Sequence, residues 1–341
     1  MKICYISFKL DNPRDQITLR GFQEMGVDVR ELGFNGYFNL LKVFRKIEPE
    51  IDLVMLGYAS SVLIIFLRFF TRKRIIYNAL ATFYDSMVVS RGKNLIRYWL
   101  IDFLAFNFAD KVFLECQAQK DLVVRVFKIN PKKISVHFVG TDDREFYFDP
   151  SIKKLQQFTV VFRGMFLAEA GADTVVRAAK ELEQKDILVR IIGRGLLLKE
   201  IEKLANDLKP KNLELITTRL PIGELRQKMM ECHLSLGQLA NHPRVHTTIP
   251  HKVFESMAMR LPYLTGENKG VMEIITENET CFTVPPGDYK ALANKISELR
   301  DDVERLDKVA ENALKLYQRE FTPKILAQKI IEELHLLTKK V

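Results

Sequence analysis

The chain has 341 residues, a length that suits two domains of about 150 residues better than one. Apolar residues make up 47%, charged residues 28%, and Gly (16) and Pro (12) are few, which excludes extensive disorder, collagen-like repeats and low-complexity sequence. The formal net charge is +9, and no apolar run approaches the ~20 residues that cross a bilayer, since Val62–Leu67 is broken by Arg68.

The first half alternates short β-like runs with helical stretches. KICYISF (2–8) reads as a strand, 14–26 as a helix stopped by Gly26, and VDVREL (27–32) as a second strand. LLKVFRKI is a short helix before the strand LVMLGY (53–58); 60–70 is helical, RIIYNA (74–79) a strand and 93–108 an amphipathic helix. KVFLEC (111–116), a helix at 117–127 and ISVHFVG (134–140) complete the series. Strands separated by helices imply parallel sheet with helices on both faces. The polar segment 141–157, with Pro150, reads as a linker. A second α/β series follows: strands at 158–164, 187–193, 213–217, 234–239, 262–266 and 281–285, with helices at 171–183, 196–208, 222–231, 251–259, 270–276, 288–300 and 302–319. An amphipathic helix at 322–338 ends the chain.

The expected organisation is an acceptor-binding domain over 1–150, joined by the C-terminal helix 322–341, and a second domain over 158–320. In such folds ligands sit at the carboxyl ends of the strands. The amino terminus MKICYISF has no signal-peptide pattern, so a cytoplasmic location is the default expectation.

Charge and aromatics are unevenly placed. Residues 61–100 hold seven basic residues (Arg68, Arg72, Lys73, Arg74, Arg91, Lys93, Arg97) and one acidic one, Asp85, and 17 of the 23 Phe lie before residue 150. This pattern suits an anionic membrane surface; the alternative is a buried helix, Ile64–Phe70, with the arginines as its solvated end. Nucleic acid is not an expected partner, because the basic charge is local and no recognition motif appears. Cys4, Cys116, Cys232 and Cys281 form no CxxC, and His246 and His251 straddle Pro250, so neither a metal site nor a disulfide framework is expected.

The informative stretch is IPHKVFESMAMRLPYLTG (249–266). Pro250 opens a helix whose first N–H groups suit a phosphate, Lys252 lies three residues before Glu255, and Glu255 can accept both hydroxyls of a ribose.

The order FRGMF, GADTVVRAAKEL, VRIIGRG, ELRQKMMECHLSLGQL, TTIPHKVFESMAMRLPYLTG, GVMEII and FTVPPGDYKALANKISEL resembles the nucleotide-sugar domain of GT-B glycosyltransferases, in particular glycosyltransferase family 4 (group 1), over about residues 158–300. KICYIS, FADKVFLE and ISVHFVGTDDREFYF resemble the acceptor domain more weakly. The resemblance implies an α/β GT-B fold of two doubly wound Rossmann-like domains facing a central cleft. It implies a hexosyltransferase-type enzyme (EC 2.4 class), retaining and metal-independent. Such an enzyme needs no cofactor beyond its donor, a UDP- or GDP-sugar. It further implies that Glu255 holds the donor ribose, that Thr247 stands where a sugar-contacting glutamate is frequent, and that Gly270 and Glu273 lie near the phosphates and nucleotide. Gly193, Arg194 and Gly195 match a turn near the base, and Gly164 matches the glycine after the domain's first strand.

Two diphosphate-holding cations of the family are replaced by Met165 and Ala170. Arg163, Arg194, Arg244 and Lys252 are candidate substitutes, Arg163 and Arg244 with a catalytic role, because charge accumulates on the departing phosphate. The usual first-domain histidine has no counterpart; Asp85, in the segment 81–92, is the candidate there, with a turn or cap role as its alternative. The acceptor, a sugar or a lipid-linked or cell-envelope glycan, is expected against segments 8–15 and 81–92, with attachment to the inner face of a membrane as an extension. The same departures leave open a non-catalytic nucleotide-sugar-binding protein, and the fold leaves open an epimerase.

Overall fold

A computed structural model describes residues 1–8, 10–89 and 92–338. Arg91 of the basic cluster, Lys9 of segment 8–15, Ser90 of segment 81–92 and residues 339–341 of the C-terminal segment 322–341 lie outside the described residues. The chain forms two compact units, Met1–Gly140 with Phe321–Val341, and Thr141–Glu320.

In the first unit the strands are β1 (Lys2–Ser7), β2 (Asp28–Gly33), β3 (Leu53–Leu56), β4 (Arg74–Leu80), β5 (Lys111–Leu114) and β6 (Ile134–Val136). They pair in parallel in the order β2-β1-β3-β4-β5-β6. Between them run α1 (Pro13–Glu24), α2 (Tyr37–Ile47), α3 (Ser61–Arg68), α4 (Phe83–Val89), α5 (Leu95–Phe108) and α6 (Gln117–Phe127). Side chains alternate across a strand, so β1 sends Cys4 and Ile6 to one core and Ile3 and Tyr5 to another. The first core is closed by Leu40 and Phe44 of α2, Leu63, Ile64 and Leu67 of α3, Ala105 and Phe106 of α5, and Val123 and Phe127 of α6.

The second unit contains β7 (Phe158–Met165), β8 (Ile187–Arg194), β9 (Leu213–Ile216), β10 (Leu234–Leu236), β11 (Tyr263–Gly266) and β12 (Phe282–Val284), again all parallel, in the order β12-β11-β10-β7-β8-β9. Its helices are α7 (Ala172–Glu181), α8 (Leu198–Leu208), α9 (Ile222–Met230), α10 (His251–Ala258), α11 (Tyr289–Arg300) and α12 (Val303–Glu320).

The last helix, α13 (Pro323–Thr338), closes the opposite face of the first sheet: Ala327, Ile330 and Leu334 pack with Leu19 and Phe22 of α1 against Ile3, Tyr5, Met55 and Phe113. Gly21 of α1 permits this approach, since a Cβ there would lie 2.2 Å from the Pro323 carbonyl oxygen. Glu333 ties α13 down through Lys111 (2.7 Å), His137 (2.7 Å) and Ser135.

Three local expectations are corrected. Segment 81–92, which the resemblance matches to a loop after a strand, is largely α4, because the Thr82 hydroxyl accepts the Asp85 N–H at 3.0 Å and caps it. The helix expected at 270–276 shrinks to one 3₁₀ turn, Val271–Glu273. The linker is a packed part of the second unit. Phe146, Tyr147 and Phe148 lie 5.7, 3.9 and 5.5 Å from the guanidinium groups of Arg163, Arg226 and Arg260, and the Lys154 ammonium donates to the Met230 (2.9 Å) and Cys232 (2.6 Å) carbonyls at the end of α9.

Candidate functional site

The second unit gathers its chemistry where β7 ends and α10 begins. Pro250 is extended (φ −72°, ψ 138°) and delivers the chain into α10, whose residues from Lys252 to Ala258 are all buried. Residues three apart share a helical face, so Lys252 and Glu255 point to the same place.

Glu255 is 4% exposed. One carboxylate oxygen pairs with the Arg163 guanidinium of β7 at 3.0 Å; the other, Oε2, is buried without a hydrogen-bond partner. Burial raises the carboxyl's pKa, Arg163 and Lys252 pull it down, and Glu145 adds a smaller push upward. Lys252 is 7% exposed; its ammonium lies 3.9 Å from the Phe162 ring centroid and donates to the Gly237 carbonyl at 3.3 Å. Burial, then repulsion from Arg163, lowers its pKa to about 7 against the opposing pull of Glu255. Gly164 leaves room for this lysine, because a Cβ there would sit 3.3 Å from Nζ.

The other candidates fall into smaller groups. Arg244 lies in the 3₁₀ turn Pro243–His246, its Nε 3.6 Å from a Glu169 carboxylate oxygen, and its carbonyl accepts the hydroxyls of Thr247 (3.3 Å) and Thr248 (3.1 Å). Gly270 packs on this loop: a Cβ would come within 2.4 Å of the Thr248 carbonyl oxygen. Glu273, at the end of the next 3₁₀ turn, is exposed, as is Arg194 at the end of β8. Gly193 and Gly195 have a packing reason of their own, since Cβ atoms there would meet the Gly164 carbonyl oxygen at 2.0 Å and the Phe166 backbone at 2.7 Å. Met165 is exposed and Ala170 buried.

The structure thus brings Arg163, Gly164, Lys252 and Glu255 together, and separately Arg244 with Thr247. Arg163, read from sequence as a cation for phosphate, has its guanidinium on Glu255. Sequence reasoning missed Glu169, the partner of Arg244, and Phe146, whose ring covers Arg163; three consecutive aromatics in a segment read as linker were the available signal. Asp85 belongs to the first unit, in the first turn of α4. That helix start is held from α5 by buried Asp102, which accepts the Tyr84 N–H (2.8 Å) and the Ser61 hydroxyl (3.0 Å) and whose pKa burial raises to about 6. Among the described residues, no group of three or more His, Cys, Asp or Glu is placed to hold a metal ion.

Two units of parallel six-stranded sheet flanked by helices define a GT-B fold, and solved structures agree. Anabaena Alr3699/HepE, crystallised with UDP, superposes with a TM-score of 0.78 at 18% identity, covering 98% of this chain and 100% of that one. Sucrose-phosphate synthase from Thermosynechococcus elongatus superposes with 0.80 at 15% identity over 100% of both chains. The family model for glycosyl transferases group 1 matches residues 143–316, and the chain belongs to that family. Among curated relatives, the alpha-D-kanosaminyltransferase of Streptomyces kanamyceticus is 29% identical over 159 residues, 46% of this chain and 40% of that protein. The chain spans about half or less of the length of the curated relatives it matches, 40%, 20% and 52%.

Proposed function

We propose that the protein is a glycosyltransferase of the EC 2.4 class that moves a sugar from a UDP- or GDP-sugar to an acceptor hydroxyl. Residues 141–320 take the donor, and the first unit, with α13, takes the acceptor. The observation that carries this reading is Glu255: a buried carboxylate with one oxygen fixed by Arg163 and the other unpartnered. A buried acceptor without a donor is costly, and a ribose diol supplies the missing hydroxyl.

Around it the remaining roles follow from charge and position. Lys252, poised to gain a proton when an anion arrives, faces the diphosphate with the N–H groups that open α10. Arg244 and Arg194 add positive charge on the way to solvent, and the Thr247 hydroxyl meets the transferred sugar. Gly164, Gly193, Gly195 and Gly270 shape the walls, Glu273 lies at the nucleotide's edge, and Arg163 acts by holding Glu255. In the reaction the bond from the anomeric carbon to the phosphate oxygen breaks. The acceptor oxygen bonds to that carbon on the same face, and its proton passes to the leaving phosphate, so configuration is retained. No metal is required in this scheme. Asp85, in the first turn of α4, faces the acceptor in this reading. We take the acceptor to be lipid-linked or part of the cell envelope and the protein to work at the cytoplasmic face of a membrane.

A second reading, a nucleotide-sugar binder without turnover, is favoured by the uncharged Met165 and Ala170. Incubation with radiolabelled UDP- and GDP-sugars, with lipid-extract and soluble acceptors, separates the two. Labelled glycan or free sugar supports the enzyme; tight UDP or GDP binding with no release of label supports the binder; and neither binding nor turnover removes both.

A further inference from the structure

The two helix layers of the first sheet differ in their outer surfaces. In α1 and α13 four basic residues (Arg14, Arg20, Lys324, Lys329) are accompanied by three acidic ones (Glu24, Glu332, Glu333), a fourth, Asp15, being buried. In α2, α3 and α5 five basic residues (Lys42, Arg45, Lys46, Arg68, Arg97) meet a single acidic one, Asp102, which is buried.

Apolar exposure follows the same division. Phe38 on α2 is 93% exposed, Phe69 after α3 is 73% and Ile96 on α5 is 84%, with Phe70, Val62 and Leu100 also exposed. These helices are adjacent: the Tyr37 and Phe66 rings lie 4.9 Å apart, the Arg45 guanidinium lies over Phe70 at 5.9 Å, and Phe69 meets Phe108 edge-on at 6.0 Å. Each helix already spends one stripe on the core, so its outward stripe is a second apolar face. A folded protein in water gains nothing from such residues unless something covers them.

The local cations sort into two sets. Arg68 donates to the Phe108 carbonyl (2.9 Å) and pairs with Asp110, and the Lys73 ammonium donates to the Ile51 carbonyl (2.6 Å), so both are committed inward. Lys42, Arg45, Lys46, Arg72, Lys93 and Arg97 are exposed. The usable charge therefore includes α2 and reaches beyond the 61–100 window that stands out in the sequence.

We propose that the outer surface of α2, α3 and α5 is the membrane-docking face of the first unit, with Phe38, Phe69 and Ile96 entering the headgroup–acyl boundary and Lys42, Arg45, Lys46, Arg72 and Arg97 binding anionic headgroups. Exposed aromatics mixed with an excess of cations, the nearby carboxylates Glu48 and Asp110 being engaged by Thr71 and Arg68, match an anionic bilayer; a protein partner would have to bring a matching acidic surface. The proposal deepens the membrane-facing part of the reading above, and binding is scored without any sugar donor so that the two can fail separately.

The test is co-sedimentation of the full chain with vesicles of phosphatidylcholine alone or mixed with phosphatidylglycerol. Sedimentation with the anionic vesicles only, weakened by salt, is expected. Phe38→Glu, Phe69→Glu and Ile96→Glu should each weaken it by roughly tenfold or more, and each of Lys42→Ala, Arg45→Ala and Lys46→Ala by about fivefold. Leu336→Glu, on the exposed surface of α13, should change nothing. Circular dichroism confirms that each variant is folded. Absence of binding, equal binding to both vesicle types, or equal sensitivity to Leu336→Glu would overturn the proposal. So would a dimer in solution that Phe38→Glu dissociates without vesicle binding, which would make this face a contact between copies of the chain.

Discussion

The two units bury carboxylates in opposite ways. In the first unit buried Asp15 and Asp102 and the partly buried Glu333 have both oxygens satisfied. Asp15 accepts from Tyr5 (2.8 Å), Ser7 (2.5 Å) and the Tyr58 N–H (3.3 Å); Asp102 from Ser61 and Tyr84; Glu333 from Lys111, Ser135 and His137. In the second unit Glu255 has one oxygen on Arg163 and one on nothing. A completed network stabilises and orients its own scaffold, whereas a half-completed one is a site held ready for a ligand. At this site the second unit sets an unsatisfied acceptor beside a lysine stripped of water; the first unit's unpartnered buried group among the described residues, the Gln119 amide, is uncharged.

Substitutions can break this comparison. Glu255→Gln keeps size and removes charge, and donor affinity should fall by about 2–3 kcal/mol, roughly a hundredfold, in a UDP titration; an unchanged affinity would put Glu255 with the structural carboxylates. Lys252→Met should remove most transfer while keeping the fold, because the methionine fits the apolar part of the site. It carries a pH signature as well. The folded lysine has a pKa near 7 against an ordinary 10.5, so between those values the unfolded chain holds a proton that the folded chain lacks. Stability therefore rises with pH across that window. Denaturant melts of Lys252→Met should lose that slope, and anion binding by the parent protein should take up a proton above pH 7.

Smaller effects are expected in the first unit. The pKa of Glu333 is lowered to about 2, with His137, Lys111 and Ser135 outweighing burial. Its contribution is present above the ordinary 4.5 and is lost as pH falls from there through 2. Glu333→Gln should cost about 1–2 kcal/mol at neutral pH and nothing at the acid end of that window. Asp102 is the reverse case: with a folded pKa near 6, the folded chain holds the extra proton between the ordinary 3.8 and 6, so its contribution weakens as pH rises through that range. Asp102→Asn should flatten this slope, change stability by about 1 kcal/mol or less at neutral pH, and raise amide exchange in α4, which its carboxylate anchors.

Much of the fold was legible because alternating strands and helices leave two distinct hydrophobic periods. Boundaries drifted where a side chain decided them, as Thr82 does for α4. The aromatic run at 146–148 was opaque because its partners, Arg163, Arg226 and Arg260, are distant in the chain. Lys252 and Glu255 could be found together because three residues on a helix share a face. The commitment of Arg163 to Glu255 could not, since a guanidinium suits a carboxylate and a phosphate equally until the β7–α10 geometry selects one. Likewise Arg68 and Lys73 read as surface charge until their carbonyl partners are placed.

The most direct test compares UDP with 2′,3′-dideoxy-UDP by calorimetric titration on the parent protein and on Glu255→Gln. If Glu255 holds the ribose diol, removing the hydroxyls weakens binding to the parent by roughly ten- to a hundredfold and scarcely affects the variant. An equal loss in both proteins, or none in either, would contradict the account.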